Sequence, residues 1–194
     1  MSDRRIAPEL MGENDVVDLL VRQHAMIRDL FDEVEESPAG SRRAEEAFQR
    51  LVRLLAVHET AEEEIVHPYV RLVLDDGDEV VDDRLAEERE AKQLLADLER
   101  LGTGHPDFSG GLQVLRAAVL AHARAEERHE FSRLREHTGV AERRAMAAGV
   151  KAAEALAPTH PHPGTESALK NLLLGGPVAL VDRTRDVIRQ AMGR

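Results

Sequence analysis

The sequence predicts an all-α protein built as an antiparallel up-down bundle of four long helices. Ala, Leu, Glu and Arg dominate the 194 residues, hydrophobic residues make up 42% of them, and eight are proline. This composition favours helices over strands. Apolar residues also recur every three to four positions through four successive segments, which short turn-rich loops separate. Short loops between long amphipathic helices place successive helices antiparallel to each other.

The first two predicted helices differ in regularity. The first covers residues 14–36 and begins at an Asn-Asp N-cap. The second covers residues 41–74, with an apolar stripe that includes Tyr69 and Leu72. Pro68 lies inside this second helix and removes one backbone hydrogen bond, so we expect a kink near that position.

The last two helices of the predicted bundle are separated by a loop rich in glycine and proline. The third helix covers residues 79–101, the Gly and Pro residues at 102–106 end it, and the fourth covers residues 109–137. Beyond the bundle, an alanine-rich helix is expected at residues 141–156.

Three regions are therefore predicted: a flexible lead-in at residues 1–13, the bundle at 14–137, and a helical C-terminal extension at 138–194. A Pro/His-rich linker at 158–164 divides the extension. Residues 165–192 carry an apolar face beside a basic one, and three interpretations are open. These residues form a lid packed on the bundle, a dimer contact, or a surface for an outside partner or membrane. We favour the lid. We expect a monomer or a homodimer.

The composition excludes several classes of protein. The chain has no cysteine, which rules out disulfides, zinc knuckles and thiolate catalysis and leaves His, Asp and Glu as metal ligands. No apolar leader and no 18-residue apolar run are present, so we expect neither secretion nor a membrane span, and a cytoplasmic protein. The net charge of −11 argues against a nucleic-acid partner, although residues 158–194 alone carry +2.

Two copies of the pattern HxxxE stand on the second and fourth predicted helices, as His58 with Glu62 and His122 with Glu126. Residues four apart on an α-helix differ by about 40° of rotation and roughly 6 Å of rise, so both side chains of each pair project from one face. The surrounding apolar residues make that face the buried one. A buried His–Glu pair either satisfies itself or binds a metal, and two such pairs predict one shared metal site.

The apolar stripes of the other two helices carry one polar residue each, His24 and Glu88. All six polar residues fall near mid-helix, so an antiparallel bundle brings them into one layer of its core. Glu88 fits its stripe better than the neighbouring Glu87 does. Three imidazoles and three carboxylates suit two iron ions joined by bridging glutamates, in an oxo- or hydroxo-bridged centre, with manganese the nearest competitor. A metal-free bundle of satisfied polar pairs is the alternative.

Two further histidines lie near the predicted layer. His67 is nine residues after His58, so on a straight helix it would point about 180° away, as a surface histidine does. A bulge at Pro68 would reduce that angle to about 80° and make His67 a metal ligand, and both interpretations are open. His129 lies on the stripe seven residues after His122, which indicates a place beside the site or its channel rather than on the metal.

This pattern resembles the hemerythrin-like (HHE cation-binding) family. The family motif is a His on the first helix, HxxxE on the second, a His on the third and HxxxE or HxxxD on the fourth. The resemblance covers residues 14–137 and implies metal-ligand roles for the five residues that match the motif: His24, His58, Glu62, His122 and Glu126.

The third helix departs from the family pattern. The Ala-Glu-Glu-Arg-Glu sequence at residues 86–90 places Glu88 where the family has its third-helix histidine. A carboxylate there makes the site harder and more electron-donating, which favours ferric iron and argues against reversible O₂ carriage. Mycobacterial relatives have a Tyr that can reach the iron at the position of His67. As a ligand, His67 would replace the nitrogen lost at Glu88.

The predicted function is that of a non-haem di-iron protein that reacts with or senses O₂, peroxide or NO at an open coordination position. The resemblance implies oxygen or redox sensing, NO binding, iron handling and catalase-like peroxide breakdown. The ligand residues do not specify whether the protein is an enzyme of the catalase-like or peroxide-reducing kind. The alternatives are a metal-gated sensor module whose C-terminal helices contact a partner, and an iron-handling protein.

Overall fold

A computed structural model describes residues 14–156 of the chain, with side chains described up to residue 152. Within these residues there is no strand, and the predicted all-α helical bundle is confirmed. The predictions for residues 1–13, for the linker at 158–164 and for the segments beyond it lie outside the described residues. Seven α-helices are described: α1 Val16–Glu36, α2 Arg42–Ala61, α3 His67–Val73, α4 Gly77–Leu101, α5 Phe108–Ala125, α6 Ser132–His137 and α7 Val140–Leu156.

Two π-helical segments each join a pair of these α-helices into one long helix. Glu62–Val66 joins α2 to α3, and Glu126–Phe131 joins α5 to α6. The bundle therefore consists of α1, α2–α3, α4 and α5–α6, and α7 follows as a fifth helix. Each π-helical segment begins at the glutamate of one HxxxE motif.

Caps and tight turns fix the ends of the bundle helices. The Asp15 side chain accepts a hydrogen bond from the Val17 amide at 3.0 Å, and Ser41 similarly caps α2. Gly40, with φ at +67°, ends the first loop and donates its amide to the Thr103 carbonyl at 3.1 Å. This contact ties the α1–α2 loop to the α4–α5 loop. The two loops approach so closely that a side chain at position 40 would meet the backbone of Gly104, which favours glycine there.

The core has two apolar clusters with a polar layer between them. Along α1, Val16 to Leu20 belong to one cluster and Ile27 to Val34 to the other, with His24 between. Along α2, Leu55 and Ala61 likewise flank His58. On α4 and on the fourth bundle helix, the polar residues likewise lie between residues of the two apolar clusters. The polar residues of all four bundle helices thus lie at one depth, as predicted from their mid-helix positions.

The π-helical segments change which residues face the core. One extra residue in a helical turn rotates everything after it by about 100°. His67 is consequently buried, with 2% exposed, whereas Leu72, which we predicted on the buried stripe, is 59% exposed. The prediction for His129 is also wrong: it is exposed, and Glu130 is buried in its place.

Helix α7 covers one end of the bundle. Met146, Ala147 and Val150 are buried in the apolar cluster that contains the start of α1. The Tyr69 hydroxyl donates a hydrogen bond to Glu142 Oε1 at 2.8 Å, which ties α7 to α3. Among residues 14–156, no helix has the length and apolar character that crossing a membrane requires.

Candidate metal centre

Six side chains of the predicted layer meet in two overlapping groups of ligand-type residues. His24, His58, Glu62 and Glu126 form the first group, and Glu62, Glu88 and His122 form the second. The ligand atoms within each group lie within 4.8 Å of one another. Glu62 belongs to both groups. This arrangement would let one carboxylate bridge two metal ions.

Two of the three buried carboxylates in this layer, Glu62 and Glu126, lack hydrogen-bond partners. Both oxygens of Glu62, both oxygens of Glu126 and Nε2 of His122 are buried without a hydrogen bond. His24 Nε2 and His122 Nε2 come within 3.3 Å and 3.2 Å of the Glu126 oxygens, at ion-pair distance but without hydrogen-bond geometry. Buried polar atoms of native proteins nearly always have partners, so this donor set fits a metal that would supply them.

Burial and the charges of neighbouring side chains set the protonation of these residues. Burial, and next the charge of Glu126, raise the pKa of Glu62 well above its usual value. Burial and the neighbouring His24 lower the pKa of His58 to about 3, so its ring is neutral at physiological pH. Burial opposes protonation of His122, but its contact with Glu126 raises the pKa of His122 to about 9. A metal-free centre therefore holds protons that cations would displace.

Glu88 and Glu87 occupy different positions at the centre. Glu88 is 1% exposed and belongs to the second ligand group. The Glu87 side chain is 41% exposed and accepts a hydrogen bond from Nδ1 of His122 at 2.9 Å. Glu88 therefore faces the core, whereas Glu87 contacts Nδ1 of His122 from outside the ligand groups.

His67 lies beside the second ligand group. Its Nε2 is 2.9 Å from Glu88 Oε1, and its Nδ1 is 3.2 Å from Glu130 Oε1. Burial opposes protonation of the ring, but hydrogen bonds to Glu130 and Glu88 raise its pKa to about 10. The helix does contain the bulge that turns His67 toward the core. The bulge lies at Glu62–Val66, just before Pro68.

Three residues at the centre were missed by sequence reasoning: Gln23, Glu127 and Glu130. Glu130 is fully buried, and its Oε2 has no hydrogen-bond partner. The doubled motif carries the signal for Glu130, because a bulge that follows one HxxxE is equally expected after the other. Gln23 and Glu127 stand next to candidate ligands in the sequence, off the apolar stripe, and they carry no comparable signal.

A cavity borders the centre and is lined by residues of α1, α2, α4 and α5. Its polar wall includes His24, His58, Glu88 and His122. The rest of its wall is mainly apolar: Ile27, Leu55, Ala91, Val119, Leu120 and Ala123. The cavity therefore gives a small uncharged molecule a place beside the ligand-type residues.

Glu59 stands at the edge of this cavity, where α2 faces α4. Its Oε2 is 3.5 Å from Nζ of Lys92, and the same ammonium lies 3.5 Å from Glu88 Oε2. Burial raises the pKa of Glu59 to about 7, although Lys92 opposes the shift. Lys92 also pairs with Glu63 and is half-exposed, so it links the buried carboxylates to the surface.

The sequence matches part of one larger known protein. A protein named DNA nickase from Nostoc sp. (strain PCC 7120 / SAG 25.82 / UTEX 2576) is 27% identical over 140 residues, which are 72% of this chain and 39% of that protein. The chain thus spans about two fifths of the length of that relative. The nucleic-acid activity in its name is a property of that protein, and the absence of a nucleic-acid partner for this chain stays a prediction.

The fold also matches a solved structure. A hemerythrin HHE cation binding domain-containing protein from Mycobacterium kansasii aligns with a TM-score of 0.64 and 23% identity, over 88% of this chain and 98% of that one. Residues 15–134, well over half of the chain, match the family described as Hemerythrin HHE cation binding domain. The doubled HxxxE motif, the convergence of His and Glu in the core and this match together show that the chain belongs to the hemerythrin HHE cation-binding family.

Proposed function

We propose that the protein binds two iron ions in the polar layer and that the centre reacts with or senses O₂, peroxide or NO. The proposed ligands are the seven residues predicted from the sequence: His24, His58, Glu62, His67, Glu88, His122 and Glu126. Histidine and carboxylate ligands without thiolates suit iron, with manganese as the less favoured metal.

The observation that carries this proposal is the position of Glu62. It is fully buried, both of its oxygens lack hydrogen-bond partners, and it belongs to both ligand groups. A carboxylate in this environment is costly unless a proton or a cation compensates it. One cation on each side would compensate Glu62 and the neighbouring Glu126 together, which supports two metal ions rather than one.

The protein residues hold and orient this centre. His58 is neutral at physiological pH, so its ring has a lone pair to offer without first losing a proton. His67 places Nε2 against Glu88 while Nδ1 faces Glu130, which supports His67 as the nitrogen ligand on the α4 side. When bound, two iron ions supply Lewis acidity and one-electron redox chemistry at this position.

The cavity supports the choice of small ligands. Its wall away from the histidines is apolar, so it favours an uncharged diatomic molecule or hydrogen peroxide over a hydrated anion. Glu88 in place of a neutral histidine adds negative charge to the centre. This charge favours the ferric state, which supports redox chemistry or sensing over reversible O₂ carriage.

Metal analysis of the purified protein tests the proposal directly. We expect two irons per chain and the near-ultraviolet absorption of an oxo-bridged ferric pair. His58→Ala should lose this absorption while the helical circular dichroism stays unchanged, and Arg53→Ala on the same helix should retain it. Full absorption in His58→Ala, or iron-free protein that takes up no added iron, would contradict the proposal.

A peroxide-decay assay on the iron-loaded protein separates an enzyme from a sensor. Turnover well beyond one peroxide per centre, abolished in His58→Ala, would identify a catalase-like or peroxide-reducing activity. A single stoichiometric reaction that changes only the iron absorption would identify a sensor.

A further inference from the structure

We propose that four residues around the centre fix which nitrogen of each histidine binds metal. Gln23, Glu87, Glu127 and Glu130 would be positioning residues that hold Nδ1 of the four histidines and leave Nε2 for the metal. The inference rests on the proposed metal site, and it assigns a role to four residues outside the proposed ligand set.

Each of the four histidines has Nδ1 against an oxygen acceptor from another helical segment. The four contacts are His24 to Glu127 Oε1 at 2.9 Å, His58 to Gln23 Oε1 at 2.8 Å, His67 to Glu130 Oε1 at 3.2 Å and His122 to Glu87 Oε2 at 2.9 Å. A carboxylate oxygen or an amide carbonyl can only accept, so Nδ1 must donate its proton in every contact.

A histidine that donates from Nδ1 has its lone pair on Nε2 when the ring is neutral. The Nε2 atoms face the layer: those of His24 and His122 lie 3.3 Å and 3.2 Å from Glu126, and that of His58 lies 3.4 Å from Glu62. Three of the four Nε2 atoms thus face Glu62 or Glu126, and that of His67 lies 2.9 Å from Glu88 Oε1. Such outer contacts fix the tautomer and the ring plane of a metal-binding histidine.

The positioning residues also brace the ligands against one another. Gln23, Glu87 and Glu127 are the sequence neighbours of the candidate ligands His24, Glu88 and Glu126. Each one holds a histidine on a different helix from its own: Gln23 on α1 holds a ring of α2, and Glu87 on α4 holds a ring of α5. A shift of α1, α4 or the fourth bundle helix would therefore move a candidate ligand and the support of another ligand together.

Glu87 and Glu127 suit a test because they are accessible. Their side chains are 41% and 37% exposed, whereas Gln23 and Glu130 are buried. Replacing either exposed glutamate leaves no cavity in the core. Weaker metal binding in these variants therefore cannot be attributed to misfolding. Arg84 donates to Glu87 Oε1 at 3.0 Å and leaves Oε2 for His122.

Cobalt(II) affinity, measured by competition with a chromophoric chelator, provides the first test. We expect Glu87→Ala and Glu127→Ala to weaken binding about 10- to 100-fold. Glu87→Gln and Glu127→Gln, which keep an acceptor oxygen, should recover most of the loss. Glu90→Ala on the exposed face of α4 is the matched control and should bind as the wild type does.

Proton NMR of the cobalt-loaded protein provides the second test. Each Nε2-bound histidine should give one exchangeable, hyperfine-shifted Nδ1–H signal, and Glu87→Ala should speed the solvent exchange of only one of them. Unchanged affinity and exchange in both alanine variants would overturn the inference while leaving the proposed metal site intact. A wild type that binds no cobalt would instead overturn the metal site, and the inference with it.

Discussion

The Nε2 atoms of His24 and His58 lie 3.1 Å apart, although Nδ1 of each ring already faces another acceptor. Two neutral rings arranged in this way direct lone pairs at each other, so they need a proton or a cation between them. The rings cross at 76°, edge to face, and neither can turn without losing its outer hydrogen bond. In the metal-free centre the two Nε2 lone pairs therefore repel each other, and a bound cation would relieve that repulsion.

Metal binding should accordingly stabilise the fold. At a free metal concentration of 100 times the dissociation constant, linkage predicts about 2.7 kcal/mol of added stability. Thermal unfolding of chelator-treated protein, with and without iron(II) under anaerobic conditions, measures the shift in melting temperature. The shift should disappear in His58→Ala, and an equal shift in that variant would show that the metal binds elsewhere.

Glu62→Gln should stabilise the metal-free protein and weaken metal binding at the same time. The folded state raises the pKa of Glu62, so above the usual carboxyl pKa folding must either keep a proton or bury a charge. A neutral amide removes that cost, and we expect a gain of about 1 to 2 kcal/mol in the free energy of unfolding near pH 7. Urea unfolding of chelated protein measures it.

Glu64→Gln, in the same π-helical segment but outside both ligand groups, is the control for Glu62→Gln. It should change neither the stability nor the metal affinity appreciably. A metal-free Glu62→Gln protein less stable than the wild type would contradict the electrostatic cost assigned to this residue.

The metal-free protein should lose stability as the pH rises above neutrality. The folded state raises the pKa of His67 from 6.5 to about 10 and that of His122 to about 9. Between those values and 6.5 the folded protein binds more protons than the unfolded chain, so the stabilisation is complete below about pH 6.5 and declines up to about pH 10.

His67→Gln should flatten part of this decline, by an amount on the order of 1 to 3 kcal/mol. Urea unfolding of chelated protein at a series of pH values measures the slope for both proteins. A wild-type stability that increases between pH 7 and pH 9 would contradict the assignment of the protons to these two histidines.

His67→Tyr tests whether this position reaches the metal. A phenolate bound to ferric iron gives a visible charge-transfer band, so the iron-loaded variant should show a band in the visible spectrum that the wild type lacks. His67→Phe has the same ring without the oxygen and should give no such band. Iron-loaded His67→Tyr without the band would leave His67 as a hydrogen-bond partner of Glu88 rather than a ligand.

Much of the fold and the six residues of the two ligand groups follow from the period of an ideal helix. The apolar stripes predicted the four bundle helices, and the mid-helix positions of His24, His58, Glu88 and His122 predicted one polar layer. These inferences hold because residues before each bulge keep the 3.6-residue period.

The errors begin where that period is broken. Pro68 indicates a bulge in the second bundle helix, and a bulge there turns His67 toward the core. No proline marks the bulge in the fourth bundle helix, so an unbroken helical period predicts His129 rather than Glu130 on the buried face. Gln23 and Glu127 could not be predicted, because their roles depend on which helix packs against which.

The two π-helical segments also determine how this chain can be compared with others. A bulge of this kind adds one residue to a helix without changing the end-to-end direction of the bundle. A family member lacking the segment at Glu126–Phe131 would place its buried residues one position earlier from there onward. Such a chain aligns correctly with this one only if a one-residue gap follows the second HxxxE, and an ungapped alignment would pair exposed His129 with a buried residue.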